Sequence, residues 1–335
     1  MAADRDGALP TYSLIVPVFN EEAVLPVLLH RLDRLLAALD GPAEVIFVDD
    51  GSRDTSGIFL SELARHDARY RYIGLSRNFG HQIAITAGLD HARGDAVIVL
   101  DADLQDPPEV VLQLVAKWKE GFEIVHARRI SREGESLFKL ATAKLFYRVL
   151  GALTDVQIPA DVGDFRLIDR QVLRSFKDMR ERDRFVRGMF SWLGYRQATV
   201  DFEREARAGG STKYSLTRML KLGLDGVIGF SDAPLRVALW AGVLVSLGAM
   251  FYGAYVVVLH VTGVQLVSGW ASLAVLTSLF AGVNLLMTGI VGLYVGRIHA
   301  EVKSRPLYVV AREVGIGFDE ARDRDRSRLQ RAGAA

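Results

Sequence analysis

Between Val237 and Gly296 the chain contains no Asp, Glu, Lys or Arg. A segment of 10–14 apolar residues suits a buried core helix, whereas crossing the ~30 Å hydrocarbon layer takes about 20. This run is long enough for two crossings with a short turn. The helices are expected at Leu235–Val261 and Gly269–Gly296, with the turn at Thr262–Ser268. The competing reading is a helical hairpin buried in a soluble domain. Half the residues are hydrophobic, and the mean hydropathy of +0.18 reflects this one region. With no Cys, disulfides and thiolate metal sites are excluded. The opening MAADRDGALP has no apolar stretch, so no signal peptide is expected.

The first ~130 residues have a different rhythm. Apolar, β-rich runs at Ser13–Phe19, Glu44–Asp50, Tyr70–Ser76, Ala96–Ala102 and Glu123–Ala127 alternate with helical patterns at Glu21–Leu39, Thr55–Asp67 and His81–Ala92. A further helix is expected from Pro107 or Pro108, since proline suits a first turn. Near-continuous apolar strands separated by helices predict an α/β fold, with a mostly parallel sheet covered on both faces. Such sheets bind ligands beyond the carboxyl ends of their strands. Four strands end there in polar groups: Asn20 and Glu21; Asp49 and Asp50; Arg77 and Asn78; Asp101 and Asp103.

Beyond residue 130 the alternation fades. Ser136–Leu153 and Lys213–Phe230 are apolar with interspersed cations, as in helices lying on a membrane surface or on the domain itself. The chain is therefore expected to divide into an α/β domain at 1–212, an interface region at 213–234, a membrane pair at 235–296 and a basic tail at 297–335. The tail is expected to be partly disordered. The turn Thr262–Ser268 has no Lys or Arg, while Lys213, Arg218, Lys221, Arg236, Arg297, Lys303, Arg305 and Arg312 flank the pair. The positive-inside rule puts both flanks and the α/β domain in the cytoplasm. Association of copies through the membrane helices is open, and the net charge of +1 marks no nucleic-acid binder.

Asp101 and Asp103 close a hydrophobic strand one residue apart, so both carboxylates can meet one hard cation, with Gln105 as a further oxygen ligand. Mg²⁺ or Mn²⁺ bound this way keeps positions for diphosphate oxygens and stabilises charge growing on a leaving diphosphate.

The strings VPVFNEE (Val16–Glu22), VDDGSRD (Val48–Asp54), LSRNFGH (Leu75–His81) and DADLQDPPE (Asp101–Glu109) resemble inverting family 2, GT-A-type glycosyltransferases. GDFRLIDR (Gly163–Arg170), GGSTKYS (Gly209–Ser215) and the membrane pair narrow the resemblance to polyprenyl-phosphate glycosyltransferases, the bactoprenol glucosyltransferases and dolichyl-phosphate mannose synthases. The resemblance implies transfer of a sugar, best read as glucose from UDP-glucose, to a polyprenyl phosphate such as undecaprenyl phosphate at the bacterial inner membrane. GlcNAc, galactose, mannose and aminopentose donors stay open. It also implies roles for residues. Pro17, Phe19, Asn20, Glu21, Asp49, Asp50, Asn78 and Asp101 would bind nucleotide. Asp101, Asp103 and Gln105 would hold the metal. Arg128, Arg207 and Lys213 would bind phosphate or lipid. Asp103 and Asp164 would be catalytic, with Asp164, expected in a turn, orienting substrate rather than abstracting a proton. A processive polysaccharide synthase is the rival enzyme, but Arg187–Trp192 does not match its QxxRW-type motif. A non-catalytic lipid-binding protein is the rival outside enzymes.

Overall fold

The structure, a computed structural model, describes residues 10–130, 162–182, 184–203, 233–262 and 269–315. Its strands are β1 Tyr12–Val18, β2 Ala43–Asp49, β3 Tyr70–Leu75, β4 Ala96–Val99, β5 Ile124–Arg129, β6 Val162–Asp169, β7 Gln197–Phe202 and β8 Val310–Val314. They form one sheet in the order β7-β5-β6-β4-β1-β2-β3-β8. The central β4-β1-β2-β3 pairings are parallel, as is β5 with β7, while β6 and β8 run antiparallel to their neighbours.

Helices α1 Leu25–Ala38, α2 Ser56–His66, α3 His81–His91 and α4 Val111–Lys119 connect the parallel strands, and a 3-10 turn at Pro108–Val110 precedes α4. Leu25, Leu28, Leu32 and Leu35 recur at helical spacing on α1 and are buried against the sheet. Each such side chain contributes roughly 1.5–3 kcal/mol of transfer free energy. Helix α3 lies so close to the sheet that a Cβ on Gly88 would come within 2.3 Å of Ile15 Cγ2. At the sheet edge away from the expected ligand loops, Glu44 and Arg71 form a buried ion pair at 2.6 Å, with Ser13 and Arg93 also donating to Glu44. The short helices α5 Arg170–Asp178 and α6 Val186–Trp192 follow β6.

Two long helices, α7 Ala233–Val261 and α8 Trp270–Val302, carry the charge-free run. The stretches Leu235–Val256 and Val275–Val302 are long and apolar enough to cross a membrane, and none of either is buried inside the protein. Trp240, Leu244 and Leu285 stand open, which removes the buried-hairpin alternative.

Three expectations need adjustment. Helix α8 runs six residues past Gly296, since nothing in Arg297–Val302 breaks a helix. The tail carries a strand that was not expected: Val310–Val314 returns as β8 and pairs with the edge of β3. Asp164 lies not in a turn but within β6, where alternation with Phe165 directs it, on the same face as Arg166, toward α3 and α6. The segments Ser136–Leu153 and Lys213–Phe230, most of the turn before Gly269, and residues 316–335 lie outside the described residues, as do Arg207 and Lys213.

Candidate active site

The carboxyl ends of β1, β2, β3 and β4 surround a cavity of about 350 Å³. Pro17, Phe19 and Glu21 line it from the first loop, Asp50 from the second, Asn78 and Gly80 from the third, and Asp101 and Asp103 from the fourth. The loops depend on one another. Gly51 has φ +72°, and a Cβ there would lie 2.6 Å from the Arg77 carbonyl carbon, so the second and third loops meet backbone to backbone. Asn20 faces neighbouring backbone instead of the cavity. Its Oδ1 accepts from Arg53 N, and its own N–H donates to Ser52 Oγ.

The two adjacent aspartates of the second loop have separate tasks. Asp49 accepts from Ser52 N and from the Tyr72 hydroxyl, shaping the turn away from the cavity. Asp50 lines the cavity and accepts from Phe79 N at 2.7 Å and Gly80 N at 2.9 Å, at the start of α3. Burial, with the nearby charge of Asp49, raises its pKa despite those two donors. Asn78 makes no cap bond to α3, whose N-cap is Gly80, so helix capping does not account for it.

Asp101 and Asp103 sit on a tight turn in which Leu104 has φ +59° and Gln105 N donates to Asp103 Oδ1 at 3.1 Å. Burial, reinforced by the charges of Asp106, Asp164 and Asp103, pushes Asp101 up to about 6, with His81 opposing. Its Oδ1 is buried and accepts no hydrogen bond, with His81 Nε2 as an ion-pair neighbour at 3.5 Å. A buried anionic oxygen without a donor is unfavourable unless a cation serves it. The two carboxylates therefore fit a divalent ion. Among the described residues no cluster of three or more acidic or imidazole groups forms a closed set of protein ligands. Gln105 contributes its backbone N–H to the turn, while its side chain lies outside the cavity lining.

Asp164 reaches the cavity through His81, whose Nε2 stands 3.5 Å from Asp101 Oδ1 and 3.3 Å from Asp164 Oδ2. Arg187 forks onto Asp164 at 2.9 and 3.2 Å, and Gln82 donates to it at 3.0 Å. Burial alone would raise the Asp164 pKa. The bond to His81 and the charges of Arg187 and Arg166 prevail and lower it far below the usual carboxylate range. Partial burial disfavours protonation of His81, yet Asp164 and Asp101 raise its pKa above the ordinary imidazole value.

Arg128 is exposed and forked onto Asp201 on β7, not turned to the cavity. Its neighbour Arg129, on the opposite face of β5, reaches the buried Asp106 beside the Asp101–Asp103 turn at 3.3 Å. His81, Gln82, Arg129 and Arg187 thus join the site although sequence reasoning assigned them no part. His81 had a signal, since it closes LSRNFGH at a helix start. Arg187 had one too, in a string read only for its mismatch to QxxRW.

A mostly parallel sheet with this loop cluster and an Asp-X-Asp turn in its ligand cavity is the architecture of a GT-A-type glycosyltransferase. The family description "Glycosyl transferase family 2" matches residues 13–176. The chain belongs to that family, as its full-length relatives also establish. Bacillus subtilis (strain 168) has an uncharacterized glycosyltransferase, YkcC, 48% identical over 305 residues, 91% of this chain and 94% of that protein. The prophage bactoprenol glucosyl transferase homolog of Escherichia coli (strain K12) is 37% identical over 300 residues, 90% of this chain and 98% of that one. The bactoprenol glucosyl transferase of Shigella phage SfV is 38% identical over 301 residues, with 90% and 98% covered.

Proposed function

We propose that this glycosyltransferase moves glucose from UDP-glucose to undecaprenyl phosphate, or a similar polyprenyl phosphate, at the cytoplasmic face of the bacterial inner membrane. The carrying observation is the placement of Asp50, Asn78, Asp101 and Asp103 around one cavity at the carboxyl edge of the sheet, on a chain with two helices fit to cross a membrane. The acceptor class and the sugar are supported by the relatives named bactoprenol glucosyl transferase.

In this reading Pro17, Phe19, Glu21, Asp50 and Asn78 bind the nucleotide. Asp101 and Asp103, with Gln105 in the same turn, would hold Mg²⁺ or Mn²⁺, which supplies positive charge to a departing diphosphate. A phosphate oxygen of the lipid attacks the anomeric carbon as the bond to the diphosphate breaks, inverting that carbon and releasing UDP. The acceptor has a second pKa near 6, so it arrives largely ionised and needs no strong base. The low Asp164 pKa agrees with orientation in place of proton abstraction. Arg128 would have to exchange Asp201 for phosphate; Arg207 and Lys213 complete the proposed phosphate set.

Membranes holding the protein, incubated with undecaprenyl phosphate and labelled UDP-glucose, UDP-GlcNAc, UDP-galactose or GDP-mannose in turn, are expected to make solvent-extractable label from UDP-glucose. Label from another donor would reassign the sugar; a long water-soluble polymer would restore the processive synthase. Orientation is checked separately. In intact cells, Ser268→Cys is expected to react with an impermeant thiol reagent and Ser304→Cys to stay unlabelled. The reverse pattern would move the catalytic domain outside and sink the cytoplasmic donor.

A further inference from the structure

Asp164 has little left to offer a substrate. Its Oδ1 accepts from Arg187 Nε, and its Oδ2 accepts from Gln82 Nε2 and Arg187 Nη2. His81 Nε2 stands 3.3 Å from Oδ2, and Arg166 Nη2 is 3.6 Å from Oδ1. An ionised carboxylate has about four accepting positions; bonds from Arg187 and Gln82 fill three, and His81 stands at the fourth, with Arg166 as a further nearby charge. Access points the same way: 5% of the Asp164 side chain is open to solvent, against 31% for Arg187. A molecule entering beside His81 meets the guanidinium before the carboxylate.

The surroundings fix where that guanidinium sits. Gln82 donates to Asp164 and accepts from Val186 N at 3.1 Å, so one amide ties α3, β6 and α6 together. The chain leading into α6 also touches the anchor: Arg182 N donates to Glu301 Oε1 at 2.6 Å, and its guanidinium to the Ala300 carbonyl at the end of α8. Arg182 and Arg187 are five residues apart, no more than roughly 18 Å of chain. Arg187 therefore lies within that length of chain of the end of the second long helix, and through Asp164 and His81 it is linked to Asp101 at the cavity. Asp50 and Asn78 belong to the loops of β2 and β3.

We propose that Asp164 is a positioning residue, and that Arg187, which it aims by a forked pair, binds the phosphate monoester of the acceptor beside Asp101. The inference rests on the transferase reading above. Phosphate oxygens could equally come from the donor's diphosphate, and a planar guanidinium suits both. The position of Arg187 next to the anchor selects the acceptor.

The test uses the full-length protein in lipid nanodiscs. Arg187→Ala is expected to raise KM for undecaprenyl phosphate roughly ten- to a hundredfold, the range for one lost charge-assisted contact. Calorimetric UDP affinity should move less than about twofold, and millimolar guanidinium should restore part of the rate at low lipid. Asp164→Asn should raise the same KM, and the double variant should be no worse than Arg187→Ala, because both changes remove one function. If Arg187→Ala does not fold, Arg187→Lys, which keeps the charge without the fork, gives the same KM-against-UDP comparison. Weakened UDP binding with unchanged lipid KM would return Arg187 to the donor. Losses that multiply in the double variant would show Asp164 acting on substrate itself. No lipid product from the unaltered protein would overturn the transferase reading, and this inference with it.

Discussion

Asp101→Asn and Asp103→Asn are each expected to lower transfer by roughly a hundred- to a thousandfold, the scale for removing one group that stabilises charge developing in a transition state. Each substitution keeps side-chain size and removes a unit of negative charge. Asp101 should also become easier to accommodate without an ion, because its carboxylate is already pushed up to about 6 by burial and three neighbouring acids. A thermal melt of Asp101→Asn should therefore match or exceed that of the parent protein freed of metal. EDTA should abolish turnover, and Mg²⁺ or Mn²⁺ should restore it in the parent but not in either variant. Full turnover by chelated, metal-free protein would remove the ion from the scheme and leave His81 as the cation beside the buried Asp101 oxygen.

Glu44→Ala should cause the largest loss of stability, about 3–5 kcal/mol, because it strands a buried cation. Arg71 is 3% exposed and pairs with Glu44 at 2.6 Å, while Ser13 Oγ and the backbone N–H of Arg93 donate to the same carboxylate. Burial would raise the Glu44 pKa, but the charge of Arg71, the Ser13 bond and Arg93 prevail and lower it. A lowered folded-state pKa means that this contribution is fully present above the ordinary glutamate value. It is lost as the pH falls through the folded one. Thermal melts of the parent should weaken on acidification through and below the usual glutamate range, and Glu44→Ala should show a smaller pH dependence there. Melting unchanged by the substitution at neutral pH would show that Arg71 finds other partners.

The sheet was readable because its strands are apolar on both faces, and four of them end in polar clusters. The two long apolar helices were readable from absent charge alone. Less could be read where chemistry depends on residues far apart in the chain. Asp164 meets His81 and Gln82 across about eighty residues, and Arg187 comes from a further helix. A local string carries no trace of such a meeting. The misplacement of Asp164 in a turn had a simple cause: Gly163 beside an acidic residue reads as loop chemistry. Here Gly163 serves close packing instead, since a Cβ on it would stand 3.2 Å from Arg129 Nη2. Arg128 shows the opposite error. It follows a strand as a phosphate ligand should, but the twofold alternation of β5 sends it to Asp201 and turns Arg129 inward. Asp49 and Asp50 diverge for the same reason, and only one of the pair lines the cavity.

The return of Val310–Val314 to the edge of β3 bears on how this enzyme can be handled in pieces. Tyr308 donates to the buried Asp90, which also receives Arg180, and Glu313 lies 3.4 Å from His91 Nε2. The last strand of the sheet is thus encoded after the two long apolar helices. A chain cut ahead of α7 to obtain a water-soluble catalyst would lack it. The backbone of β3 would then present open donors and acceptors, the template on which sheets recruit other chains. Such a fragment should precipitate or oligomerise. A soluble version would instead need α7 and α8 replaced by a polar linker, with residues 303–315 retained behind it.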